Sequence, residues 1–499
     1  MLSRLFSRRK GSGKGRPERD PAALIRLADQ GDAEAQAKLG AALERGEGVL
    51  RNPVDAVAWY RRAALQGHAI AQLSLARLAL RGSEAPIHDL SPETVAQLFP
   101  NGLSVDRDPA EARRWARAAA EQGVVAAQSL LGNLLAGGQG GDIDYEEARV
   151  WYARAAEAGD ADAQLGLGIL VSGDYLGDPD PQAALGWFAK SLDQGNVTAA
   201  FYLALTYNQG LGVPVDERRA AELMMQAAEG GIPGGQRMMG WFLMTGRGVA
   251  QDVFKAETWL RKAALQEDAE AMVLLGSLHS RGGAMRPNLV EAANWYRAAA
   301  DLGHVGAQKV LAQMYLTGAG VPADPLTAQR WFQKAADQGD VTALYNIGML
   351  DNIGANGRRD PERALARFRE AAAQGSAEAQ FQLCVAYSLG DDVERDFEQA
   401  AHWARRAAEQ GHAGAQSNYG RSLMQGYGVP QDLEEAEDWL RKAADQGIVQ
   451  AMTALGELYA GLWGGPVDSD KAAHWLGLAA EQDERAREIL AAQSAEGPK

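Results

Sequence analysis

One cysteine, Cys384, stands in 499 residues, so no disulfide framework forms within the chain. Histidine is scarce as well, with seven in the whole sequence. No apolar run approaches the ~18 residues that a membrane-crossing helix requires. The first ten residues, Met1 to Lys10, lack an apolar core of secretory-signal length, so the expected location is cytoplasmic. Reaction chemistry is equally thin. There is no Gly-x-Ser-x-Gly elbow and no close metal-ligand spacing. Gly13-Lys14 does not make a phosphate-binding loop, because Arg8 stands where that motif needs glycine and no Ser or Thr follows the lysine. No catalytic residue, metal or cofactor is therefore expected, and the chain reads as a non-enzyme. The net charge is −15, yet residues 1–19 hold seven Lys or Arg against one Glu, so the body is more acidic than the whole. An acidic body argues against a nucleic-acid groove.

What is present is one pattern, repeated. Tryptophan recurs at Trp59, Trp115, Trp151, Trp187, Trp259, Trp295, Trp331, Trp403, Trp439 and Trp475, and Leu223 and Arg367 hold the two places the series skips. The step is 36 residues, apart from one of 56. Three residues before each of these twelve places is Ala, from Ala56 to Ala472; at that spacing the small and large side chains share a helix face. Seven residues before each is Asp or Asn, as at Asn52, Asp108, Asp252 and Asp432, the residue types that cap a helix N-terminus. Pro follows at Pro53, Pro109, Pro181, Pro325 and Pro361, where the first helical turn tolerates it. Acids three residues after the cap, such as Glu111, Glu147 and Glu435, are better explained as helix starts than as catalytic carboxylates. This second helix ends in Ala-Ala-x-x-Gly, as in Ala63 to Gly67, and the next unit opens with Ala-Gln and Leu-Gly, as in Ala35-Gln36 and Leu39-Gly40. The Gly40 register admits only Gly, Ala or Cys384, which points to close helix contact that offsets the cost of glycine inside a helix.

These residues resemble the Sel1-like repeats, relatives of tetratricopeptide repeats. The match rests on Ala-Gln-x-x-Leu-Gly, the Gly-x-Gly-Val turn (Gly46 to Val49, Gly210 to Val213, Gly246 to Val249, Gly318 to Val321, Gly426 to Val429), the capping Asp, and Ala-x-x-Trp-x-x-x-Ala-Ala-x-x-Gly. The resemblance implies an all-α, right-handed superhelical solenoid of about twelve helix-turn-helix units spanning 31–482, with an insertion near 83–105. Each unit in such an array buries its apolar face only against its neighbours. It also implies a protein–protein interaction scaffold of the kind that serves as an adaptor in signal transduction, envelope regulation and assembly. A cysteine-rich, secreted branch of the family is linked to β-lactam binding; an enzyme of cell-wall or β-lactam chemistry by that analogy lacks the paired cysteines here.

Around the array, residues 1–19 read as a basic, disordered tail, with a weak tether to anionic membrane as the alternative, since Leu2, Leu5 and Phe6 stand beside basic residues. That alternative makes the chain membrane-peripheral. Residues 20–30 read as an N-terminal capping helix, and 483–499 as a C-terminal capping helix with a frayed end. In the insertion, Ser91-Pro92-Glu93-Thr94 starts a short helix and Pro100-Asn101-Gly102 stops it. Five of the twelve Met lie in Met224–Met244, beside the glycine-rich Gly230–Gly235, which reads as gap-filling near a joint.

If the superhelical likeness holds, first helices line the concave face and positions equivalent to 37, 41 and 44 point into it. In mid-chain these read Phe201, Leu205 and Asn208; Arg237, Trp241 and Met244; Tyr345, Met349 and Asn352; Phe381, Val385 and Ser388. Large apolar side chains there suit a protein or peptide partner. The alternative is that they touch adjacent repeats and belong to the core. The oligomeric state cannot be read from the pattern. Lys309, Gln313 and Asn346 form an incomplete carboxylate clamp, so capture of a peptide C-terminus is not expected.

Overall fold

The structure is a computed structural model that describes residues 21–85, 91–282, 286–355 and 357–496. The basic segment 1–19, and with it the membrane-tether reading, lies outside the described residues. The chain divides into two compact units, residues 1–263 and 264–499.

In the first unit, a helix over Pro21–Asp29 precedes six hairpins. Their leading helices are Ala33–Arg45, Ala69–Arg81, Val125–Ala136, Ala161–Ser172, Val197–Gln209 and Pro233–Thr245. The trailing helices are Pro53–Leu65, Pro109–Glu121, Tyr145–Glu157, Pro181–Asp193, Glu217–Glu229 and Val253–Ala264. The second unit holds six more hairpins, from Ala269–Arg281 with Leu289–Asp301 through Val449–Tyr459 with Ser469–Ala479, and closes on a helix over Glu484–Glu496. Within each unit every helix packs on the next in sequence. Leading helices of consecutive repeats also touch, as Ala33–Arg45 meets Ala69–Arg81 and Ala377–Leu389 meets Ala413–Gln425. The fold of each unit is thus an α-helical solenoid, with Ala and Leu packed between its helix layers. Ala56, Ala63, Ala71, Leu75 and Leu78 exemplify that packing, all fully buried.

Local chemistry sets the helix ends. Trailing helices start where an Asp or Asn accepts the backbone N–H three residues on, as from Asp55 to Asn52 at 3.1 Å and from Glu435 to Asp432 at 2.9 Å, satisfying a donor the helix leaves unpaired. His68, His304 and His412 do the same for leading helices, each Nδ1 accepting from the Ala three residues later. The Gly230–Gly235 run makes no break: it ends the helix Glu217–Glu229 and, with Pro233 in the first turn, opens the next.

The close approach expected at the Gly40 register is present, but tryptophan is not its partner. The residue after the Trp place fills it. A Cβ on Gly40 would stand 2.8 Å from the Tyr60 ring, on Gly168 2.6 Å from Phe188, and on Gly420 2.7 Å from Leu440. The Trp side chains are mostly half-buried instead, dressed by polar neighbours. Lys190, Lys262 and Lys334 lie over Trp187, Trp259 and Trp331 at 4.1, 3.9 and 3.9 Å from the ring centroid, a favourable cation–π placement. The indole N–H of Trp151 donates to Glu147 at 3.0 Å, and that of Trp439 to Glu435 at 3.1 Å. The acids of the first turn thus serve two ends, the helix dipole and the indole.

The insertion carries its anticipated helix, Pro92–Leu98 with Ser91 as cap. It also carries an unanticipated antiparallel pairing of Ser83–Glu84 with Ser104–Val105. Phe99 is buried, and Asn101 donates to Asp55 at 2.8 Å, so the insertion packs on the preceding trailing helix.

Candidate partner-binding face of the leading helices

The leading helices are positioned by a ladder of buried amides that links hairpin to hairpin. The Gln of each Ala-Gln pair turns back and donates to a carbonyl near the end of the preceding trailing helix: Gln36 to Ala28, Gln72 to Ala64, Gln308 to Ala300 and Gln380 to Ala372, at 3.0 to 3.1 Å. Its own carbonyl oxygen accepts from the Gln that ends its own hairpin, as Gln66 donates to Gln36 at 2.8 Å and Gln446 to Gln416 at 2.8 Å. Both partners are used, so burying these amides costs little. The motif Ala-Gln was visible in the sequence; its role was not, although Gln recurring in Ala-Ala-x-Gln-Gly is the matching signal.

The nine side chains proposed from register are all half-buried, neither open nor core. In the first unit, Phe201, Leu205, Trp241 and Met244 flank the buried cluster that contains Phe188, Met224, Met239 and Phe242. The Phe201 ring covers Gly234 of the next leading helix, where a Cβ would lie 3.2 Å from it. Trp241 sits 5.5 Å from Phe242, with the Arg247 guanidinium 5.5 Å from its ring. Arg237 lies one helical turn before Trp241. Met224 and Met239 are fully buried, which fits the gap-filling reading of the methionines.

In the second unit, Tyr345 and Met349 flank the cluster around Leu344 and Phe368, and Tyr345 packs 5.9 Å from Phe368. Burial pushes the Tyr345 phenol above its ordinary value, opposed by a hydrogen bond with Gln382. Phe381 stacks on His412 at 4.5 Å and covers Gly414, and Val385 follows one turn later on the same helix. Phe201 and Phe381 are thus seated on the next repeat while staying only half-buried. Lys309 is engaged within the fold, its Nζ 2.7 Å from the capping carboxylate of Asp340.

No group of three or more potential metal ligands occurs among the described residues. No described helix is long and apolar enough to cross a membrane.

Paired helices stacked in sequence, with half-covered aromatics along the leading members, define the class: a tetratricopeptide-like helical repeat protein. More narrowly, the Sel1 repeat family model matches twelve times, over 33–68 and then without a break from 95 to 484. The chain belongs to the Sel1 repeat family. Among solved structures it is similar to a protective antigen of uropathogenic Escherichia coli strains displaying an SLR fold, with 29% identity over 96% of this chain and 98% of that one and a TM-score of 0.58. It is also similar to a Sel1 repeat protein of Oxalobacter formigenes, with 31% identity over 66% of this chain and 89% of that one and a TM-score of 0.48. No curated protein matches.

Proposed function

We propose that the chain is a non-enzymatic scaffold that binds protein or peptide partners along its leading helices. One observation carries the reading: aromatic and apolar side chains recur along one face of those helices, half-buried rather than absorbed into the core, with the Phe201 and Phe381 rings seated on the next repeat. Rings anchored on one side lose little freedom on binding, which favours them as contact points. Sel1 and tetratricopeptide-like folds in general bind protein partners, and that family habit supports the same direction.

Photo-crosslinking tests it with little disturbance of packing. A benzoylphenylalanine placed at Phe381, and separately at Tyr345, is expected to form adducts with a discrete protein in the native cell. The same label at the trailing-helix Trp331 is expected to give none. Equal adducts from both faces, or none from either, would remove the proposed surface. Residence in the cytoplasm belongs to the same proposal, with an anionic-membrane contact through residues 1–19 as its variant; fractionation of the full chain against one lacking those residues separates the two.

A further inference from the structure

One repeat carries an acid at a register where no other unit has one. The register that holds Leu43, Leu135, Leu243 and Leu423 in four repeats, Tyr207, Tyr315, Tyr387 and Tyr459 in four more, and Ala79, Val171 and His279 in the rest is Asp351 in the leading helix Val341–Ile353. The register of the first-turn acids Glu111, Glu147 and Glu435 is Arg363. A cavity of about 760 Å³ lies between Asp351, the trailing-helix residue Gln329 and the segment Arg358–Arg363.

Asp351 is 4% exposed. Its Oδ1 accepts from Gln329 at 3.1 Å, while Oδ2 has no hydrogen-bond partner among the described residues. The nearest cation is Arg363, whose Nε stands 4.0 Å away with most of the side chain in solvent. Arg359 is spent on Asp392 and on the Asn352 carbonyl. Arg358 is exposed at the rim, beside Glu362. A buried carboxylate with an idle oxygen is costly to keep, and eleven other units hold no acid at this register.

We infer that this cavity is an anchor pocket for a basic side chain of a protein partner, an Arg or Lys whose head donates to Asp351 Oδ2, with an adjacent acidic residue of the partner meeting Arg358. A guanidinium or ammonium supplies the missing donor as a charge-assisted bond, the strong kind. The chain's net charge of −15 favours approach of basic segments. The inference rests on the scaffold reading and names one of its contact points.

The test is a random-peptide library panned on the full chain, followed by titration of one selected synthetic peptide. Enrichment of Arg or Lys beside Asp or Glu is expected. Asp351→Asn should weaken that peptide about 30-fold or more, the scale for removing one member of a desolvated charge pair, and Arg358→Ala about threefold. Asp351→Leu, which installs the residue of four other repeats, should abolish binding while raising the thermal midpoint, so lost binding cannot be blamed on unfolding. Selected peptides indifferent to Asp351 but weakened by Tyr345→Ala would overturn the pocket and leave the scaffold standing. A lowered midpoint for Asp351→Leu, or no enriched peptide at all, would also overturn it.

Discussion

The Gly-x-Gly-Val turn offers a matched pair of substitutions two residues apart. Gly426 and Gly428 have nearly the same backbone, φ +72° and +71°. Alanine at either pays the left-handed penalty of about 1–2 kcal/mol. At Gly426 little else happens, since the added methyl would sit 3.6 Å from Gln431 Cβ, ordinary contact distance. At Gly428 it would overlap the Phe397 carbonyl outright and stand 2.7 Å from the Glu398 nitrogen. Both are backbone of the preceding trailing helix, so no rotamer relieves the clash and the turn must withdraw. Overpacking of this kind adds about 1–3 kcal/mol, giving about 2–5 kcal/mol in total for Gly428→Ala. The stacked pair Phe397–Tyr427, 5.2 Å apart, would part with it. A long repeat array need not unfold as one unit, so the assay is hydrogen exchange read by mass spectrometry over residues 397–432. Ten-fold faster exchange corresponds to about 1.4 kcal/mol. Gly428→Ala should speed it by about 30-fold or more and Gly426→Ala by about tenfold. Equal effects would show that conformational freedom alone fixes the turn and that the backbone contact between repeats is incidental.

Three further outcomes are expected. Gln416→Ala removes two side-chain bonds, one to the Ala408 carbonyl and one from the Gln446 amide, and should cost about 1–3 kcal/mol in urea unfolding at about 0.5–1.5 kcal/mol per bond, more than Gln446→Ala at its exposed position; equal losses would refute the ladder. Cys384 is fully buried and burial pushes its thiol above the ordinary value, so iodoacetamide should modify it only after urea is added; stoichiometric labelling of the native chain within minutes would refute the packing. The Arg117 hydrogen bond holds the Glu147 carboxyl below its ordinary value. The stabilisation is therefore complete above the ordinary carboxylate range and lost as pH falls through the depressed value. Arg117→Met should lower the thermal midpoint slightly at pH 7, by less than about 1 kcal/mol for so exposed a pair, and leave it unchanged in strong acid; a difference that persists there would assign the effect to packing.

The repeat, its caps and its small-residue register were legible because each is a local requirement repeated twelve times. The partner of the Gly40 register was not, because the facing position is Tyr60, Phe188, Leu440 or Ala404 in turn and its variety hides its role. Tryptophan drew attention by recurrence, yet it recurs as a half-covered surface ring held by lysine and glutamate. The amide ladder needed coordinates, since Gln36 and Gln66 are 30 residues apart and neither looks buried by composition. Asp351 is the reverse case: the one acid at its register, visible when the repeats are set side by side, whose meaning depends on the cavity beside it. The seating of Phe201 and Phe381 on the following repeat could not be read from a pattern that does not say how tightly units stack.

In four repeats the turn glycine seats the hairpin on a carbonyl of the preceding trailing helix, and a carbonyl is the same in every residue. Pro109, Glu217, Leu289 and Phe397 all serve as that seat, with no demand on their side chains. The joint between modules is therefore generic. Gain or loss of a whole 36-residue module should leave the remaining joints intact, so an array of this kind can change length by duplication or deletion without re-matching its neighbours.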